Sequence, residues 1–384
     1  MKSFMVYYFD HAASAVPFQE VTDLLCSKIG DNYFNPGAIH RQGRAFQERI
    51  LLAKQNFLKL LNLNHGDFLF PPSATLANNL VVLGFNHQQD SEVFCFSGDH
   101  PSLVLPVKNL KNKGVVVKEI PQKKYYGYDD EALLEELTEK TTWLYLTSVN
   151  NQSGLNNPVE KLALSARLKF PNIKIHLDAS QSFGKISYDY SLFDSVTLSS
   201  HKCGGPKNIA GLWLKDHQLY SPLYFGGAQQ LGLFSQTEDA LLAEAFSLAA
   251  SLGIKSAEKN YQRIKDMQDE LIEFLNQLKI PVHVPFKNIS PYITMMIIPD
   301  FPSDVVLRIM EEKNCILSST AACSSKIKGF NFVFASLGID DSHHKHVIRL
   351  SFGVNSSKED LNFFKDKFSE FIAENIFLIK MKKR

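Results

Sequence analysis

The chain has 384 residues, 45% of them apolar and 21% charged, with 41 Lys and Arg against 40 Asp and Glu. That length exceeds one ordinary compact core, so a large domain with a smaller companion is expected. The charge balance excludes an obvious nucleic-acid surface, and the only basic run is the C-terminal "KMKKR". No stretch of about 18 apolar residues occurs, and "MKSFMVYYFDHAASA" reaches an acid too soon for a signal-peptide core. A cytoplasmic location without membrane or direct nucleic-acid binding is the expectation. Cys26, Cys95, Cys203, Cys315 and Cys323 form no CxxC pair and no zinc spacing. Each reads as a free thiol, and no metal is expected.

In chain order, short apolar runs alternate with longer amphipathic ones between about residues 66 and 215. The runs "SEVFCFS", "GVVVKEI", "TTWLYLTSV", "IKIHLDAS", "SVTLSS" and "AGLWLK" are too short for helices and rich in branched and aromatic residues, which predicts buried strands. Helical patterns such as "DDEALLEELTEK" and "VEKLALSARLKF" lie between several of them. This alternation predicts an α/β domain with a mostly parallel sheet, whose ligand binds beyond the carboxyl ends of the strands. A long helical region follows from about 238 to about 278, with a domain boundary inside it. Beyond it "YITMMIIP" and "HVIRLSFG" read as strands, each followed by a helix, which predicts a smaller α+β domain. The expected division is a large domain over 16–250 and a small one over 1–15 and 251–384.

Asp178 ends the most strand-like run, "KIHLDASQ", and Lys202 follows 24 residues later after "SVTLSS". In a parallel sheet both reach one edge. Pyridoxal phosphate needs such a pair: a lysine to hold its aldehyde, and a carboxylate to keep its ring nitrogen protonated. Taken alone, the pair also fits a turn or cap aspartate and a solvated lysine. Cys323 lies in "STAACSS", which suits either a loop thiolate or an inert small residue at a helix start. Arg349 sits inside the apolar "VIRLSFG", so a carboxylate is expected beside it, from a substrate or from the protein itself.

These positions together resemble the cysteine desulfurases, a branch of the fold-type I pyridoxal-phosphate enzymes in the aminotransferase class V group. The likeness is carried by "YFDHAASA", "NPGAIHRQG", "SATLANNL", "GDHPSLVLP", "TSVNNQSG", "HLDASQSFGK", "SSHKCGGPK", "SSTAACSS" and "IRLSFG", in the family's order over most of the chain. It implies a seven-stranded, mostly parallel sheet flanked by helices, with the cysteine loop and the carboxylate-binding arginine on the smaller domain. It also implies that Lys202 forms the Schiff base, that Asp178 partners the ring nitrogen, and that Ala74, Thr75, Ser199 and His201 bind the phosphate. His100 would stack on the ring and shuttle protons, a task its ordinary near-neutral pKa suits. Gln181 and Asn151 would bond the phenolic oxygen or orient substrate, Arg349 would grip the substrate carboxylate with Asn35 near it, and Thr237 would reach the phosphate of a second subunit in a homodimer. Cys323 would be the nucleophile that takes sulfur from L-cysteine, leaving L-alanine, and passes it to a protein acceptor or iron-sulfur scaffold.

The chain also departs from the family pattern. "PPS" precedes Ala74, Leu76 replaces an acid, Gln152 stands for a glutamate, Gln229 and Gln230 for histidine and glutamate, and Phe234 for arginine. Cys203, beside Lys202, takes a position usually apolar. Two alternatives therefore stand: a divergent lyase or aminotransferase for another small amino acid, and a non-catalytic scaffold of the same fold.

Overall fold

The computed structural model describes residues 6–319 and 331–382. Most of the short apolar runs are buried on both faces, as inner strands of a covered sheet must be, while the edge strand Val116–Glu119 is partly exposed. They are β1 (Asp67–Leu69), β2 (Glu92–Cys95), β3 (Val116–Glu119), β4 (Thr141–Thr147), β5 (Lys174–Asp178), β6 (Ser195–Ser199) and β7 (Ala210–Leu214), in the sheet order β1-β7-β6-β5-β4-β2-β3. Only β7 runs antiparallel to its neighbours. The six expected strands are all present. The edge strand β1 is an addition, three residues long and too brief to carry a period.

Helices cover the sheet: α1 (Gln19–Lys28), α2 (Arg41–Leu60), α3 (Ala74–Leu83), α4 (Pro101–Asn109), α5 (Val159–Lys169) and α6 (Ala240–Asn276) are those that bear on the site. Phe57 of α2 shows what joins the layers. Its ring stacks on Phe68 at 4.3 Å between centroids and lies 4.6 Å from Phe246 of α6. Burying an aromatic ring of this kind contributes about 1.5–3 kcal/mol.

The 37-residue α6 begins at Asp239, whose side chain accepts from the Leu242 amide, and spans the expected domain boundary without a break. Ala243, Phe246 and Ala250 pack into the core of the large sheet, whereas Ile264, Met267, Leu271 and Leu275 pack into a second core. Among the described residues α6 is the one helix long and apolar enough to cross a membrane, and 56% of its most apolar window is buried inside the protein. The second core lies against β8 (Ile293–Ile297) and β9 (Val347–Ser351), an antiparallel pair in which Met295 faces Arg349. Tyr7–Tyr8 pairs in parallel with Cys315–Ile316, which ties the start of the chain to this smaller unit.

Candidate active site

Because β5 and β6 run parallel, with Asp178 level with Thr197, Asp178 and the residues after Ser199 leave the sheet at the same edge. Lys202 sits in a short 3-10 turn there. The turn reverses through Gly204, at φ +84°, a conformation glycine takes without steric cost. Both Cys203 and Gly205 donate backbone N–H bonds to Ser200 O. Asp178, Lys202, His100, Arg349, Gln181, Ser199, His201, Asn151, Ala74 and Thr75 all line one cavity of about 670 Å³. Beyond the ten expected residues, Asp10, Gln152 and Lys207 also line it.

The Asp178 carboxyl is buried, which alone would raise its pKa. Bonds from the Asn78 side chain and the Ser180 amide, with the Ser180 hydroxyl and His176 nearby, outweigh that and hold it below the ordinary value. The Lys202 amine goes the other way. Its pKa is lowered by burial first and by Arg349, while Asp178 opposes. A lowered amine pKa favours the free base, the form that can act as nucleophile or base.

At the opposite end the cavity is built for an anion. Ser73 caps α3, its hydroxyl accepting the Leu76 amide at 3.2 Å and its carbonyl accepting Ala77 N at 3.1 Å. The amides of Ala74 and Thr75 then have no acceptor among the described residues, at a helix N-terminus where the dipole favours negative charge. His201 faces the same region, its pKa lowered to about 4 by burial and by Lys202, Lys207 and Lys185. That cationic field is the one a phosphate neutralises.

Arg349 is 5% exposed, and it already has its carboxylate. Its Nη2 donates to Asp10 Oδ1 at 2.6 Å and its Nη1 to the Asn151 carbonyl at 2.7 Å, while Nε is buried without a partner. Of the two sources expected for that carboxylate, the protein supplies one. Asp10 lies in the "YFDHAASA" segment, and nothing in the sequence alone ties it to a strand 339 residues away. His100 is the N-cap of α4 and its pKa is lowered to about 4 by burial and by Lys202, so it does not keep the near-neutral pKa on which its proton-shuttling reading leaned.

Two expected residues lie elsewhere. Asn35 is exposed, its Oδ1 accepting the Gly37 amide at 2.9 Å, and does not line the cavity. Thr237 lines a separate cavity of about 110 Å³ that shares Asn208 and Ile209 with the larger one. Cys323 falls outside the described residues. Among the described residues no group of three or more His, Cys, Asp or Glu side chains is placed to hold a metal ion.

The aminotransferase class-V family model matches residues 7–364. The chain belongs to that family. Cysteine desulfurase IscS 1 of Archaeoglobus fulgidus is 27% identical to it over 371 residues, covering 92% of this chain and 94% of that one. A solved NifS-like protein superposes with a TM-score of 0.88 at 21% identity, over 96% of this chain and 100% of the other. A structure described as SspA in complex with cysteine superposes with a TM-score of 0.78 at 23% identity, over 91% and 100%.

The cofactor of this class-V family member is pyridoxal phosphate, and the cavity fits it. The unbonded Ala74 and Thr75 amides with His201 and Lys207 suit the phosphate, the ionised Asp178 suits the ring nitrogen, and the unprotonated tendency of Lys202 suits the aldehyde. Gln181 donates from Nε2 to Ala12 O at 2.8 Å and leaves Oε1 buried without a partner at the cavity wall, as does Gln152.

Two of the departures from the class-V pattern, Phe234 and Gln230, also find a physical account. Phe234 is 1% exposed and packs in a core of its own. Gln230 and Leu231 are both left-handed, at φ +49° and +61°, which costs about 1–3 kcal/mol per residue. The Gln230 side chain clamps the segment. Its Oε1 accepts Phe70 N at 3.1 Å and Lys54 Nζ at 3.2 Å, and its Nε2 donates to Phe70 O at 3.2 Å. Phe70 leads directly into the turn that presents Ala74 and Thr75. Gln230→Leu is expected to cost about 1–3 kcal/mol in urea unfolding, because the Phe70 amide is left buried and unbonded, whereas Phe70 O keeps Gln236. Gln230→Glu, which still accepts from Phe70 N, is expected to cost less, and equal losses would show that the amide bond is not what matters.

Proposed function

We propose that this chain is a pyridoxal-phosphate-dependent cysteine desulfurase: it converts L-cysteine to L-alanine and moves the sulfur to Cys323 as a persulfide. The observation that carries this reading is the convergence of Lys202, Asp178 and Arg349 on one cavity, in a chain similar to a cysteine desulfurase along nearly its whole length. A further support concerns reach. Ser318 and Ser319 line the cavity, Ser318 exchanging backbone bonds with Arg349, and Cys323 follows four residues after Ser319. Four residues of extended chain span at most about 13–14 Å.

When bound, pyridoxal phosphate supplies an electron sink that stabilises negative charge developing on the substrate. Asp178, ionised and fixed by its hydrogen bonds, holds the proton on the ring nitrogen. Arg349 orients the substrate carboxylate. Lys202, as a free amine, would take the Cα proton as general base and return a proton to the product. The Cys323 thiolate attacks the substrate sulfur, the C–S bond breaks with its electron pair left on carbon, and that carbon is protonated. L-cysteine and the enzyme thiol thus become L-alanine and an enzyme persulfide, with all atoms conserved. An acceptor protein or iron-sulfur scaffold would receive the sulfur. A homodimer is supported by large apolar side chains left bare, among them Phe225 at 91% and Ile39 at 90% exposure, and a cytoplasmic site of action by the sequence composition.

The test is an absorbance spectrum with L-cysteine added, alanine and sulfide assayed together, and Cys323→Ser run beside the native chain. A yellow protein making both products only with Cys323 present is the expected result. A cysteine-dependent spectral change without alanine, or undiminished turnover by Cys323→Ser, would sink the desulfurase reading.

A further inference from the structure

Behind the cavity the buried polar groups form one hydrogen-bonded chain whose direction follows atom by atom. An ionised Asp178 only accepts, so the end of Asn78 lying 2.8 Å from Asp178 Oδ2 is its NH2 group. The second hydrogen of that group goes to Ser102 Oγ at 3.0 Å. Asn78 Oδ1 consequently faces His176 Nε2 at 3.2 Å, which puts the His176 proton on Nε2 and leaves Nδ1 to accept from Ser195 Oγ at 2.9 Å. Ser102 Oγ, having accepted from Asn78, turns its own proton to His100 Nδ1 at 2.8 Å. The Ser102 backbone N–H, a fixed donor, lies 3.2 Å from the same nitrogen. Two donors on Nδ1 leave the proton of the neutral imidazole on Nε2, which has no partner among the described residues.

We propose that Ser102 and Asn78 are positioning residues that lock His100 as its Nε2–H tautomer, so that His100 meets the cavity's ligand as a hydrogen-bond donor. The lock runs from the charge of Asp178 through the bonds Asp178 to Asn78, Asn78 to Ser102 and Ser102 to His100. Burial and Lys202 both oppose an imidazolium here, and Asp178 alone favours one. In this state Nε2 cannot accept a proton from a substrate. The atom it suits is an acceptor with a lone pair facing Nε2, which on the desulfurase reading is the sulfur of the substrate.

The experiment is long-range proton-nitrogen NMR on the full-length chain with 15N-labelled histidine, with and without pyridoxal phosphate, using His100→Gln to assign the signal. His100 is expected to show a protonated Nε2 and a bare Nδ1 at neutral pH. Ser102→Ala and Asn78→Ala are each expected to give a mixture of tautomers, and Ser102→Ala to lower kcat/KM for L-cysteine about 3- to 10-fold, the worth of one hydrogen bond. Ser102→Thr, which keeps the hydroxyl, restores both. A proton on Nδ1, or an imidazolium at neutral pH, overturns the proposal, and so does a tautomer unchanged by Ser102→Ala. The expected tautomer in a protein that makes no alanine upholds it and rejects the desulfurase reading instead.

Discussion

Lys202→Ala is expected to lower kcat by about 10³–10⁴-fold or more while leaving the fold intact, because one side chain combines covalent anchoring with general-base work that by itself is worth about 10²–10⁴. The lowered pKa of this amine comes first from burial, so its removal takes away a group that resists desolvation, and the melting temperature should hold or rise. Lys202→Arg should be equally inactive, since a guanidinium stays protonated. Lysine pKa alone would not single out Lys202. Lys185 is 4% exposed, its pKa is lowered to about 8 by burial and by Lys202, and its Nζ lies over the Tyr292 ring at 5.6 Å. It does not line the cavity, and position separates the two amines. The check is alanine formation and a thermal melt on both Lys202 variants, and more than a tenth of native turnover in Lys202→Ala would remove Lys202 from the chemistry.

The parts of this architecture legible in the sequence are those with local causes. Strands β2 and β4 to β7 announce themselves because a covered strand needs a continuous apolar run, the edge strand β3 by its branched residues, and α6 because its helical pattern persists for ten turns. Asp178 and Lys202 fall at strand ends by the same logic, and the sheet brings them to one edge. What the sequence hid is long-range pairing. The Asp10 to Arg349 ion pair, the clamp of Gln230 on Phe70 and the link from Asn78 to Asp178 join residues 100 or more positions apart, and no periodicity encodes a partner at that distance. The protonation of His100 was hidden for a related reason. Its motif indicated a histidine at the cavity, but its protonation depends on burial and on the Lys202 charge, which only the packed molecule supplies.

Arg349→Ala is expected to raise the KM for L-cysteine by about 10²–10³-fold and also to destabilise the protein, and the two effects have different origins. The KM effect follows from losing charge-assisted bonds to the substrate carboxylate, which are worth about 2–5 kcal/mol when desolvated. The stability effect comes from Asp10. With Arg349 gone, a carboxylate whose side chain is 20% exposed loses its cation, and breaking a buried pair from one side costs about 3–5 kcal/mol, nearer the lower figure here because Asp10 keeps some water. Adding Asp10→Asn to Arg349→Ala should therefore recover most of the stability in denaturant unfolding and none of the KM. If stability does not return, the loss lies in the packing of the arginine stem against β8 and β9 rather than in the stranded charge. If KM returns with it, Arg349 serves to restrain Asp10 and does not hold the substrate carboxylate.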